Sequence, residues 1–257
     1  MTPGPEQLIP FAEQLANVSG EIIRRYFRRQ IQLKEKADMS PVTVADMEAE
    51  KSMRALIHNT FPHHGIIGEE FGMTNEGAEY MWVLDPIDGT KSFMIGRPIF
   101  GTLIGLVRNG TPVLGVIDQP IIGERWLGIQ GFATNFNYNP AHVRRCKSLS
   151  EAVFCTTSPH LFEGADAVSF ERVRDLAHYT IYGGDCYSYG LLANGLVDVI
   201  IETGLKTHDF CALVPVVKGA GGIITDWEGK DINLQSDGRV IVTGDARVHA
   251  QVLKLVS

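Results

Sequence analysis

Acidic side chains recur along this sequence at loop-like positions beside apolar stretches. They are Asp46 in S-P-V-T-V-A-D, Glu69 and Glu70 in G-E-E, Asp85 and Asp88 in D-P-I-D-G-T, and Asp209 in T-H-D-F. In W-V-L-D-P-I-D-G-T a buried-strand pattern ends in two carboxylates three residues apart, with Pro86 bending the chain between them. Such a turn can aim both carboxylates, and the carbonyl between them, at one point. Oxygen-only ligation of that kind suits Mg²⁺, which prefers carboxylates, water and phosphate to nitrogen or sulfur. Asp88-Gly89-Thr90 adds the other half of a phosphoryl-transfer site, because a glycine lets backbone N–H groups approach an anion and a helix starting there turns its positive end toward it. Taken alone, D-x-x-D-G reads equally well as an ordinary turn, since Asp and Gly favour turns for local reasons.

The elements that must position these residues change character along the chain. From Pro5 to about Gln30, Leu8, Phe11, Leu15, Val18, Ile22 and Tyr26 recur at helical spacing. Arg24, Arg25, Arg28 and Arg29 cluster at its end, where the helix dipole favours cations, and read as a solvated cap. A second helix is predicted from near Val44 to about Asn59, stopped by Phe61-Pro62. Short apolar segments then follow near 65–69, 80–84, 101–108, 113–119 and 125–130, punctuated by Gly, Pro and the hairpin signal Asn109-Gly110; they read as a β-sheet. After about Ser148 the pattern alternates: strand 153–157, helix 170–177, helix 187–196, strand 197–202 and helix 210–220. An N-terminal α+β half over 1–148 and a C-terminal α/β half over 149–257 are therefore expected.

Composition narrows the functional classes. With 257 residues, 44% hydrophobic and 21% charged, the chain is globular and long enough for two fused halves. No apolar run approaches the ~18 residues of a membrane span, and the N-terminus lacks the basic head and apolar core of a signal peptide. Four scattered cysteines without a C-x-x-C pair argue against a disulfide framework or zinc ribbon, and a cytoplasmic location is expected. A net charge of −7 opposes nucleic-acid binding, whereas a small anionic substrate can still enter if metal ions reverse the sign of its pocket.

G-E-E at 68–70, W-V-L-D-P-I-D-G-T-K-S-F at 82–93, P-I-F-G-T-L-I at 98–104 and D-F-C-A-L-V-P-V-V-K-G-A-G-G-I-I-T-D-W at 209–227 together resemble the inositol monophosphatase family in order and spacing, over nearly the whole chain. F-C-T-T-S-P-H-L-F at 154–162 and G-D-C-Y-S-Y at 184–189 are most similar to its histidinol-phosphate phosphatase branch. The resemblance implies a layered αβαβα sugar-phosphatase fold and a Mg²⁺-dependent phosphomonoesterase acting by water attack, with no phosphoenzyme. Carried over by position, it implies that Glu69, Asp85, the Ile87 carbonyl, Asp88 and Asp209 hold Mg²⁺. It places the phosphate on Asp88, Gly89 and Thr90. Asp46, accepting from the Thr90 hydroxyl, helps activate the attacking water, with Glu69 and Glu70 completing the catalytic set. Family members commonly form dimers, so a homodimer is expected.

Substrate choice is expected to fall to Asp185, Glu202 and Asp209. Inositol phosphatases typically carry a small residue at the position of Asp185 and an acidic one at that of Glu202. A carboxylate at Asp185 suits a cationic substrate such as histidinol phosphate, through a charge-assisted hydrogen bond, better than a polyol; the structural alternative is that Asp185 caps the following helix. Inositol 1-phosphate or another small sugar phosphate is the runner-up substrate, and a metal-dependent binding protein that has lost turnover is the reading from a different class. His63-His64 is expected in a solvated loop, and Trp82, Trp126 and Trp227 in the core or at sheet edges. His208 departs from the aromatic residue usual before the last metal-binding aspartate.

Overall fold

A computed structural model describes residues 4–29, 33–35 and 41–256. Its elements are α1 (Pro5–Tyr26), β1 (Leu33–Glu35), β2 (Pro41–Thr43), α2 (Val44–Thr60), β3 (Gly65–Gly68), β4 (Gly72–Thr74), β5 (Tyr80–Asp88), α3 (Thr90–Met94), β6 (Gly101–Arg108), β7 (Thr111–Gln119), β8 (Glu124–Ile129), β9 (Asn135–Phe136) and β10 (Asn139–Pro140). They continue with β11 (Val153–Thr156), α4 (Gly164–Leu176), β12 (Tyr179–Tyr182), α5 (Asp185–Ala193), β13 (Val199–Glu202), α6 (Thr207–Phe210), α7 (Leu213–Gly219), β14 (Ile223–Thr225), β15 (Val240–Thr243) and α8 (Ala246–Val256). An eight-stranded sheet runs β10-β9-β8-β7-β6-β5-β3-β4 and a five-stranded sheet β12-β11-β13-β15-β14.

Side-chain alternation stacks these sheets into the αβαβα layers the sequence implied. Along β5, Trp82 and Leu84 face α1 and α2, where they join Phe11, Leu15, Met53 and Ile57 in one buried cluster. Met81 and Val83, on the opposite face, pack with Tyr189, Leu192, Leu213 and Val216 of α5 and α7. Those two helices are shared: the same cluster holds Ile200, Val240 and Val242 from the five-stranded sheet. The odd members Val199, Ile201 and Ile241 point the other way, onto Phe170, Val173, Val248 and Val252 of α4 and α8. A one-residue register slip in β13 or β15 would exchange two cores, so both registers are tightly specified.

Three glycines bring the middle layer unusually close. Gly105 pairs with Gly115 and Gly115 with Gly128, forming a row across β6, β7 and β8. A Cβ on Gly115 would lie 1.9 Å from the Ala212 carbonyl oxygen, and one on Gly128 2.4 Å from that of Pro215. The α6–α7 backbone thus rests directly on the sheet, an approach only glycine permits.

Several local expectations change. The helix expected over 210–220 divides into α6 and α7, because Pro215 has no N–H to offer the Cys211 carbonyl, although Cys211 and Ala212 keep right-handed dihedrals. Helix α1 ends at Tyr26, before the expected Gln30, which lies outside the described residues. Its terminal arginines are bolts as well as solvated charges: Arg25 pairs with Glu48 at 2.7 Å, and Arg28 donates twice to the Gly96 carbonyl. His64 is not in a solvated loop. Its Nδ1 accepts from Trp82 Nε1 at 3.1 Å and its ring stacks on Phe61, so burial lowers its pKa. Asn109 and Gly110 both take positive φ, 49° and 84°, as a tight β6–β7 hairpin requires.

Candidate active site

Strand register assembles the acidic residues. β3 and β5 are parallel, with Gly68 opposite Leu84, so both strands end at the same sheet edge and Glu69 emerges beside Asp85. The Glu69 N–H donates to the Leu84 carbonyl at 3.2 Å. Against antiparallel β6, Asp85 pairs with Leu103 but Asp88 with Gly101, so Pro86 and Ile87 bulge opposite Thr102. The Thr102 hydroxyl donates to the Pro86 carbonyl at 2.7 Å and the Asp85 carboxylate accepts from Ile87 N–H at 3.0 Å, which fixes the bulge from both sides. Gly89, at φ 88°, reverses the chain into α3. The Thr90 hydroxyl donates to the Ile87 carbonyl at 3.1 Å. Asp46 stands buried in the first turn of α2, and Asp209 comes from α6, seated on the glycine row.

Two groups of potential ligand atoms result, each with its members within 4.8 Å of one another: Asp85, Asp88 and Asp209, and Glu69, Asp85 and His208. Burial pushes the Asp85 carboxyl well above the usual range, and repulsion from Glu69, Asp88, Asp209 and Asp46 pushes it further. Asp88 is raised in the same way, by burial and then by Asp185 and Asp209, against the opposing hydrogen bond from Cys186. Asp209 is raised by burial, with His208 opposing. Buried carboxylates that repel one another are stable as anions only beside a cation. The donor set therefore fits a hard divalent metal, with one imidazole among the oxygens. Glu70 belongs to neither group; its backbone N–H is held by Glu50 at 2.7 Å.

Asp185 does not cap α5. The cap position is Gly184, while Asp185 itself takes a left-handed φ of 41° after Gly183 and Gly184 at 89° and 110°. Its carboxylate instead lies against the phosphate turn, where a Cβ on Gly89 would be 2.6 Å from Asp185 Oδ2, and accepts from the Ser92 hydroxyl at 3.3 Å. The N-terminus of α5 is served from the other sheet: Cys186 N–H donates to Asp88 Oδ2 at 2.5 Å. Glu202 is 3% exposed, accepts from Thr157 N–H at 2.8 Å and the Tyr189 hydroxyl at 2.9 Å, and burial raises its pKa to about 7. Asp88, Asp185, Glu202 and Asp209 converge on a cavity of about 200 Å³ whose lining has no Lys, Arg or His among the described residues.

Sequence reasoning left some of these positions unused. His208 looked like a departure from a motif, yet its place before Asp209 turns it toward Glu69 and Asp85. Thr157 and Tyr189 lie within the 154–162 and 184–189 motifs, but the motifs alone assign them no role, because they act through Glu202, which only the fold brings to them.

The inositol monophosphatase family model matches residues 5–257. The chain is 50% identical over 249 residues to the chloroplastic bifunctional phosphatase IMPL2 of Arabidopsis thaliana, covering 93% of this chain and 72% of that one. It is 35% identical to the histidinol-phosphatase of Chlorobaculum parvum, covering 90% of each. Among solved structures, an inositol monophosphatase from Zymomonas mobilis superposes with a TM-score of 0.91 at 47% identity, over 99% of both chains.

Proposed function

The chain belongs to the inositol monophosphatase family, and from that premise we propose that this metal-dependent phosphatase uses Mg²⁺ and hydrolyses L-histidinol phosphate to L-histidinol and phosphate. The observation that carries the substrate reading is the cavity beside the phosphate turn, which Asp88, Asp185, Glu202 and Asp209 line with no basic side chain among the described residues. An ammonium or imidazolium group forms a charge-assisted hydrogen bond with Asp185 there, which a neutral polyol cannot. The histidinol-phosphatase among the relatives supports the same reading.

In this reading Glu69, Asp85, Asp88, Asp209 and the Ile87 carbonyl hold Mg²⁺, which when bound neutralises phosphate oxygens and makes water more acidic. Asp88, Gly89 and Thr90 place the phosphate, the latter two through backbone N–H groups. The Thr90 hydroxyl, which donates to the Ile87 carbonyl here, would turn its proton to Asp46, and the pair would orient the attacking water and take its proton, assisted by Glu70. As the ester P–O bond breaks, the leaving alkoxide would take a proton from a second water, giving histidinol. Asp185 and Glu202 receive the cationic end of the substrate.

Purified protein assayed with and without Mg²⁺ on histidinol phosphate, inositol 1-phosphate, fructose 1,6-bisphosphate and adenosine 3′,5′-bisphosphate tests the proposal. A clear kcat/KM preference for histidinol phosphate supports it; a preference for inositol 1-phosphate supports the second reading, which the likeness to the Zymomonas inositol monophosphatase favours. A homodimer belongs to the same proposal, with the exposed apolar side chains Ile95, Ile181 and Tyr182 available to an interface; a monomeric mass in light scattering contradicts it. A cytoplasmic location is also part of the proposal and is to be checked with a fluorescent fusion, since one relative is chloroplastic. No helix among the described residues is long and apolar enough to cross a membrane.

A further inference from the structure

Helix α2 carries a second acidic residue one turn beyond Asp46, on the same face. Glu50 is fully buried, and its carboxylate is spent on the turn that follows β3: Oε2 accepts from Glu70 N–H at 2.7 Å, and Oε1 accepts from Phe71 N–H at 3.2 Å and from Arg54 Nε at 2.7 Å. Arg54, one further turn along, completes the frame by donating through Nη2 to the Gly72 carbonyl, and its guanidinium lies 6.0 Å from the centre of the Phe71 ring. The two side chains thus bind the backbone on three successive residues, 70, 71 and 72, immediately after Glu69. Gly68 makes the arrangement possible, since a Cβ there would fall 1.9 Å from Glu50 Oε1 and 2.6 Å from Arg54 Nη2.

We infer that Glu50 and Arg54 are positioning residues for the Glu69–Glu70 turn, and that the glycine of G-E-E exists to admit the Glu50 carboxylate. The inference rests on the reading of Glu69 as a metal ligand. Glu69 is anchored on one side by its N–H bond to the Leu84 carbonyl; without the clamp, the other side of the turn would be a short exposed hairpin, since Gly72, Met73 and Thr74 are all solvent-exposed. A carboxylate accepting two backbone N–H groups and an arginine is a strong, directional anchor. It sits one step behind the metal cluster, where loss of a supporting group typically costs about 10- to 100-fold in metal affinity or activity.

Glu50→Gln is the first test, because an amide keeps the volume but replaces one acceptor oxygen with a donor facing N–H groups. Mn²⁺ binding without substrate, followed by electron paramagnetic resonance, is expected to weaken about 10- to 100-fold, with a matching rise in the metal concentration for half-maximal activity. At saturating metal, KM is expected to stay within about twofold; because a smaller folded fraction also lowers apparent kcat, turnover is compared per folded protein and the Mn²⁺ affinity is the deciding readout. Gly68→Ala, which displaces the same carboxylate from the other side, should act alike, and Arg54→Lys, which keeps the charge but loses the fork, should fall between. Removing the exposed Glu79–Arg108 pair by Glu79→Gln should change nothing. Folding is scored separately, by thermal unfolding in chelator; if Glu50→Gln does not fold, Arg54→Lys decides on the same readouts. Near-normal Mn²⁺ affinity in the folded variants overturns the clamp, whereas weak binding only after Asp85→Asn, with Glu69→Gln silent, overturns the ligand reading of Glu69 on which it stands.

Discussion

The carboxylates at the ends of β3 and β5 and those on the wall formed by α5 and β13 meet in one region but differ in the donors that answer them and in how strongly they repel one another. Asp85 and Asp88 are buried against Glu69, Asp209 and each other, and repulsion adds to desolvation in raising their pKa values. Asp185 and Glu202 are buried too and also feel a neighbouring carboxylate, Asp209 for one and Asp185 for the other. Side-chain hydroxyls answer them, however, Ser92 for Asp185 and Tyr189 beside Thr157 N–H for Glu202, whereas Asp85 and Asp88 accept from the backbone N–H groups of Ile87 and Cys186. The first group is unfinished without a divalent cation. The second keeps hydroxyl donors of its own and lines the cavity, a place suited to grading substrates rather than driving the reaction.

The most damaging way to break this contrast is Asp85→Asn. Turnover with Mg²⁺ is expected to fall by at least about 100-fold, as when a placed charge is lost from a reaction centre. The chelated protein should nevertheless melt higher than wild type, because one repelled carboxylate has gone; steady-state kinetics and thermal unfolding check both halves, and near-normal turnover would remove Asp85 from the metal site. On the wall, Asp185→Asn should cost a cationic phosphate ester about 1.5–3 kcal/mol, roughly 10- to 150-fold in kcat/KM, and a neutral sugar phosphate little. Asn tolerates the left-handed φ of 41° at least as well as Asp, so equal losses for both esters would reduce Asp185 to a structural role.

Glu202→Gln sharpens the same comparison through pH. The folded carboxyl, at about 7, keeps a proton that the unfolded chain releases near its ordinary 4.5. Its contribution to stability is therefore complete below about pH 4.5 and is lost as pH rises through about 7, by on the order of a few kcal/mol. Melting temperatures in chelator should decline less steeply across that window in the Gln variant; an unchanged slope would mean that Glu202 is ionised throughout. The smallest effect is expected from His208→Phe, which removes the nitrogen donor from the Glu69–Asp85 group. Zn²⁺ should weaken several-fold relative to Mg²⁺ in competition titrations, since imidazole suits the softer ion.

The elements that carry the acidic residues were legible in the sequence because each combines a long periodic signal with sharp punctuation. The α2 pattern, the β5–β6–β7 run and the Asn109-Gly110 turn lie close to their expected bounds. What escaped was short or non-local. β12 is a four-residue edge strand that leaves Tyr179, Ile181 and Tyr182 exposed and is defined only by its parallel pairing with β11, while β14 has three residues. No element was assigned beyond residue 220, although α8 has a well-marked apolar face. At the site, spacing placed Asp85 and Asp88 on one turn, but only the tertiary fold could reveal that Asp88 serves the N-terminus of α5 or that Asp185 rests on Gly89.

The glycine row beneath α6 and α7 works as a mechanical stop. Because peptide group meets peptide group at Gly115 and Gly128, the height of the Ala212–Val216 backbone above the sheet, just after Asp209, does not depend on the size or rotamer of any intervening side chain. Leucine and valine substitutions elsewhere in the middle layer are therefore expected to lower the melting temperature more than they change that height. The tolerance of the ion seat is thereby separated from the tolerance of the core, and mutational drift in one leaves the other in calibration.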